Sequence, residues 1–205
     1  MQDLVILTAD KNSQFALRGA LGRPAAMDIR PISFEFRMHP GRDGGARTTC
    51  VDVLAREQRR FRHALLVFDL EGSGANDNQT AVDLERELDD RLAGAWGSNA
   101  KSIVIAPEVD VWLWGTDNAL KEVLRWPLEG SIRSWLQSRS FAFGSDEKPE
   151  RPKEALEAMI PVHRQPRSSA LYEKLTKRIS LRRCTDPAFV RLRATLRGWF
   201  ALQGG

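Results

Sequence analysis

The chain has 205 residues, 42% of them apolar and 28% charged, with a net charge of +4. That is room and composition for one ordinary α/β domain with its own core. No apolar run approaches the roughly 18 residues of a membrane span, and Cys50 and Cys184 form no CxxC pair, which argues for free thiols in a reducing cytoplasm and against zinc.

Leu4-Val5-Ile6-Leu7 reads as a strand covered on both faces, and not as a signal peptide, because no basic stretch precedes it. A polar turn (8–13) leads to a helix over Gln14 to Leu21, stopped near Gly22-Arg23-Pro24. Ile29 to Arg37 has Ile32, Phe34 and Phe36 alternating and predicts a second strand. His39 to Gly45 reads as a loop, and Thr49 to Phe61 as a helix. Ala64 to Phe68 is the clearest strand, ending on Asp69, and 71–78 is a glycine-bearing loop. Thr80 caps a charged helix to Leu92 whose acids, Asp83 to Asp90, suggest a solvated face. Ser102 to Ala106 predicts a fourth strand that runs into Pro107-Glu108-Val109-Asp110. Strands alternating with helices predict a parallel-rich sheet. Beyond it lie a short helix (131–138), a polar linker (141–152) and helices over 153–159, 170–179 and 187–200. The expected division is an α/β core, 1–140, with a helical extension, 141–205, packed on it.

In an open α/β sheet, ligands sit beyond the carboxyl ends of the strands. Asp69 and Glu71 fall there as an i, i+2 pair, Glu108 and Asp110 form a second such pair one strand on, and Asp10 follows the first strand. Carboxylates gathered this way suit Mg²⁺ or Mn²⁺ and the cleavage of phosphate esters. For Asp10, Asp69 and Asp110, capping of the next turn or helix is the competing role. Gly72-Ser73-Gly74 is not followed by Gly-Lys-Ser/Thr, and no GxGxxG or Gly-x-Ser-x-Gly occurs, which argues against P-loop, Rossmann and hydrolase-elbow chemistry. Residues 151–205 hold twelve Lys/Arg against four Asp/Glu, a surplus of +8, leaving −4 on residues 1–150. A basic tail suggests a polyanion partner, nucleic acid above all, with Lys174, Lys177, Arg178, Arg182 and Arg183 as its contacts. A merely solubilising surface is the other reading.

Three stretches carry a resemblance. They are the strand ending in Asp69-Leu70-Glu71, the strand ending in Pro107-Glu108-Val109-Asp110-Val111-Trp112-Leu113-Trp114, and the tail with Arg151-Pro152-Lys153, Tyr172-Glu173-Lys174 and Cys184-Thr185-Asp186-Pro187-Ala188-Phe189. Together they are similar to the Toprim-like proteins of bacterial anti-phage defence islands, related to the nuclease domains of overcoming-lysogenization-defect ATPases. The resemblance implies a Toprim-like α/β core that binds Mg²⁺ through Asp69, Glu71 and Glu108, cleaves phosphodiesters in the cytoplasm, and works beside a partner such as an ATPase. It departs at one place. A first-strand Glu followed by Gly is usual, whereas this strand has Thr8-Ala9, with Asp10 two residues on. Loss of a general acid or base costs about 10²–10⁴-fold in rate. A degenerate Toprim module that binds a partner or nucleic acid is therefore the alternative, and a receiver-like or flavodoxin-like domain with an incidental acid cluster is a third reading.

Overall fold

A computed structural model describes residues 1–115 and 117–202. Four strands form one parallel sheet: β1 (Gln2–Thr8), β2 (Phe34–Met38), β3 (Phe61–Asp69) and β4 (Ala100–Ile105), in the order β2-β1-β3-β4. Leu4 pairs with Phe34 on one side and His63 on the other, and Asp69 pairs with Ile105. The expected parallel-rich sheet flanked by helices is thus present, with a helical C-terminal segment packed on it.

Alternation along the strands divides the core. Leu4, Ile6, Leu65, Val67, Ile103 and Ile105 point to one face, where they meet α1 (Lys11–Leu21) and the helices of the tail. Val5, Leu7, Leu66, Phe68 and Val104 point to the other, against α3 (Arg42–Ala55) and α4 (Ala81–Trp96). Every side chain of Leu4 to Leu7 is fully buried, as the unbroken apolar run requires. A short α2 (Pro24–Met27) precedes β2.

Beyond β4 come a 3₁₀ turn over Val109–Leu113, α5 (Asp117–Leu124), α6 (Ile132–Gln137), α7 (Pro152–His163), α8 (Ser169–Arg178) and α9 (Pro187–Phe200). Leu156, Tyr172, Leu192 and Phe200 share one buried cluster with the sheet, so the tail completes the core. Trp112 and Trp114 are buried in it, and the indole N–H of Trp112 donates to Asp186 (2.8 Å), which also caps α9 by accepting from Phe189 N (3.0 Å).

Several elements differ from expectation. The predicted 29–37 strand is extended ladder only from Phe34, running one residue further to Met38, because Pro31 lacks an N–H and Ile29 makes a lone antiparallel bridge to Ala201. α3 starts at Arg42, inside the predicted loop, and stops before Phe61, which opens β3. Gly45 permits that early start, since a Cβ there would lie 2.5 Å from the His39 ring. The acids of α4 are not all solvated. Glu85 is buried, accepts from Val104 N (2.7 Å) and pairs with Arg191 (2.6 Å), while Asp89 accepts from Ser102 N (2.7 Å). Among the described residues, no helix is long and apolar enough to cross a membrane.

Candidate active site

The chain leaves β1 toward α1 on one face and leaves β3 toward α4 on the other. Connections that part in this way open a crevice between the carboxyl ends of the two strands. Asp10, Asp43, Asp69, Glu71, Glu108 and Asp110 line a crevice of about 310 Å³ there, with Arg42, Lys153 and Arg167 on its walls. All five acids expected from the sequence are therefore brought together, and Asp43 joins them.

Each acid is held differently. Asp69 closes β3; one of its oxygens accepts from Val109 N (3.0 Å), and its own N–H donates to Asp43 (3.0 Å). The ladder continues past the strands through Leu70 N to Ile105 O (2.8 Å) and Glu71 N to Pro107 O (3.1 Å), which brings exposed Glu71 beside buried Glu108. Glu108 meets Lys153 Nζ at 3.4 Å. Asp110 is 1% exposed and fully engaged, by Arg167 at 3.0 and 3.1 Å and by the hydroxyl of Tyr172, the chain's single tyrosine, at 2.7 Å. It is not the helix cap that a helix beginning at Val111 would need. Asp10 does cap α1, accepting from Ser13 N (2.7 Å), yet still borders the crevice.

The electrostatics follow from that crowding. Burial pushes the Asp69 carboxyl well above the ordinary range, and the nearby charges of Asp10, Asp43, Asp110 and Glu108 push it further. Burial, then the charge of Asp110, raise Glu108 to about 7 against the downward pull of Lys153. Asp43 and Asp110 are also raised by burial, Asp110 less than it would be without Tyr172 and Arg167. Six acids face three basic side chains, so the crevice keeps an excess of negative charge.

An excess of hard oxygen donors is what Mg²⁺ or Mn²⁺ takes, usually through one or two carboxylates and several waters. Asp69 and Glu71 fit that role, since among the described residues the second oxygen of Asp69 accepts no hydrogen bond, and Glu71 is exposed. A closed cage does not fit, because among the described residues no three His, Cys, Asp or Glu side chains converge tightly enough to enclose an ion. Glu108 is already engaged by Lys153 and Asp110 by Arg167, so both are better matched to other roles.

Sequence reasoning missed Asp43, Arg42 and Arg167. The only signal for the first two is the glycine-rich run around them. There the His39 ring accepts from Gly41 N (3.0 Å) and bonds Thr49 (2.8 Å), bracing the start of α3. Lys153 and Tyr172 belong to tail motifs that carry the resemblance, and both reach the acids. Thr8, where that resemblance calls for Glu, is wholly buried with its hydroxyl unpaired. The five tail cations expected to contact nucleic acid lie elsewhere, unlike Lys153 and Arg167 of the same segment. Lys174, Lys177 and Arg178 line a separate cavity, Arg182 pairs with Asp28 (3.2 Å) and Ala25 O (2.8 Å), and Arg183 borders a small Trp-lined pocket.

Compared with known proteins, the chain matches no family model, no curated protein and no solved structure. The order β2-β1-β3-β4 is also that of the first four strands of flavodoxin-like sheets. Strand order therefore does not separate a Toprim-like from a flavodoxin-like reading, and the side chains of the crevice must do so.

Proposed function

We propose that the chain is a Mg²⁺- or Mn²⁺-dependent nuclease of Toprim-like type that cleaves phosphodiesters in nucleic acid. The observation that carries this is the convergence of Asp10, Asp43, Asp69, Glu71, Glu108 and Asp110 on one crevice at the point where the sheet's connections part. Asp69 and Glu71 are the residues to hold the cation, which when bound supplies Lewis acidity toward a phosphoryl oxygen. Glu108, near neutrality and not in the first-strand position, is the group suited to move a proton. Lys153 and Arg42 offset the charge of an incoming phosphate. Asp110, neutralised by Arg167 and Tyr172, fixes the 3₁₀ turn that carries Glu108. Action in a bacterial anti-phage defence system, beside an ATPase partner and in the cytoplasm, belongs to this proposal through the resemblance alone.

The test is cleavage of plasmid, single-stranded DNA and RNA by the purified chain with Mg²⁺, Mn²⁺ or EDTA. Metal-dependent cutting that Asp69→Ala abolishes is the expected result, and equal cutting by that variant would sink the assignment.

A second reading has observations of its own. Asp110 is wholly occupied, no three acids among the described residues enclose an ion, and Thr8 stands where Glu is usual. On that reading the module binds a partner protein or nucleic acid and cuts nothing. The two part on thermal melting, because a real cation site raises the melting temperature with added Mn²⁺ by mass action and a vestigial one does not.

A further inference from the structure

A second cavity, among the described residues, is basic and separate from the acid crevice. It encloses about 640 Å³ among α5, the end of α7 and α8, within the roughly 300–1,000 Å³ of small-molecule sites. Arg125, Lys174, Lys177 and Arg178 line it, against one acid, Glu122. Lys177 is offset by Glu173 (2.5 Å) and Arg178 by Glu122 (3.2 Å), whereas Arg125 and Lys174 meet no carboxylate within ion-pair distance among the described residues.

Two features show construction beyond surface charge. Arg125 ends α5 with φ +51°, a left-handed conformation that a non-glycine residue rarely adopts. The turn returns Trp126 N to Lys121 O (2.9 Å), leaving Trp126 in the core and Arg125 exposed at the cavity. Strain of this kind persists where a side chain is wanted in a particular place. The second feature is His163, only 8% exposed in the cavity wall. Its Nδ1 accepts from Gln165 N (3.1 Å), which puts the ring hydrogen on Nε2, and that N–H has no acceptor. A buried donor without a partner calls for an oxygen to satisfy it.

We propose that this cavity binds a ligand carrying several phosphate groups in series, gripped by Arg125 and Lys174 with the His163 N–H beneath. With Lys177 and Arg178 offset, Arg125 and Lys174 leave two uncompensated cations, more than a monoanion balances, and the planar guanidinium of Arg125 matches phosphate oxygens two at a time. Val123 is the one wholly apolar side chain of the lining, so a ligand recognised by its rings gains little. The phosphates belong either to a nucleic-acid backbone or to a free polyphosphate. The site does not depend on cleavage, although the 163–167 segment joins it to the acid crevice, with Gln165 donating to Val123 O (3.2 Å) and Arg167 pairing with Asp110.

The experiment is calorimetric titration of the full chain, without divalent metal, using inorganic tripolyphosphate, ATP and a short single-stranded DNA oligonucleotide. The proteins are wild type, Arg125→Glu/Lys174→Glu, Lys174→Gln, and Arg86→Glu as a control on exposed α4. Binding at least tenfold weaker in the double variant and about threefold weaker in Lys174→Gln, with the control unchanged, is the expected result. Oligonucleotide binding that falls steeply with salt while tripolyphosphate stays weak assigns the phosphates to a nucleic-acid backbone, and the reverse assigns them to a free polyphosphate. Lys174→Gln decides should the double variant fail to fold. No binding of any probe to wild type, or equal binding by the variants, overturns the proposal.

Discussion

Asp69 sits where a carboxylate is least comfortable, buried at the end of β3 among four other acids that raise it. Asparagine keeps the acceptor for Val109 N and removes the charge. Asp69→Asn is therefore expected to raise stability at neutral pH by about 1 kcal/mol, or about 2–4 °C in melting temperature, while ending cleavage. Scanning calorimetry checks it. Asp110 is the opposite case, an acid whose burial is compensated. Arg167→Met leaves that charge beside Tyr172 alone and is expected to cost about 3 kcal/mol in urea unfolding, of which Arg167→Met/Asp110→Asn recovers most. Glu108 supplies a pH signature. Its folded value, about 7, lies above its ordinary 4.5, so the folded state binds the extra proton between them. Its contribution to stability is fully present below about 4.5 and is lost as pH rises toward 7. Melting temperatures at pH 5 and pH 8 are thus expected to draw closer together in Glu108→Gln than in wild type.

At the scale of elements, the tail reaches the crevice because α8 lies close against α1. Gly19 makes that approach possible, since a Cβ there would lie 2.0 Å from Thr176 Oγ1 and 2.8 Å from Glu173 O. Gly19→Ala must push the helices apart, with an expected cost of about 1–3 kcal/mol and a lower affinity for substrate as Tyr172 draws away from Asp110. Denaturant unfolding and a binding isotherm check the pair of effects. Gly19 also shows where sequence reading stops. β1, β3 and β4 are legible from Leu4-Val5-Ile6-Leu7, Ala64 to Phe68 and Ser102 to Ala106, because a strand buried on both faces is written as an unbroken apolar run. The acids at their ends follow from the rule for α/β sheets. Asp43 and Arg167 do not, because each reaches the crevice through contacts between elements remote in sequence. Asp43, in the first turn of α3, reads in the sequence as a loop acid, and Arg167 sits in a polar connection whose partner is 57 residues away. Glu85 escaped for the same reason, since its burial depends on Arg191 of α9.

The whole molecule separates its charges. Acids gather at the carboxyl edge of the sheet, and the cations of α5 and α8 gather around a cavity beside it, with one short segment, 163–167, forming part of both walls. On the proposed function, a phosphodiester is brought to the acids only when a cation makes the crevice hospitable to it, so cation binding precedes everything else. The account therefore turns on whether Asp69 and Glu71 hold a divalent ion. Calorimetric titration of Mn²⁺ into the metal-free chain, wild type beside Asp69→Asn, measures that directly. One saturable site in wild type that disappears in the variant is the predicted result; no saturable site in wild type, or the same site in both, would contradict it.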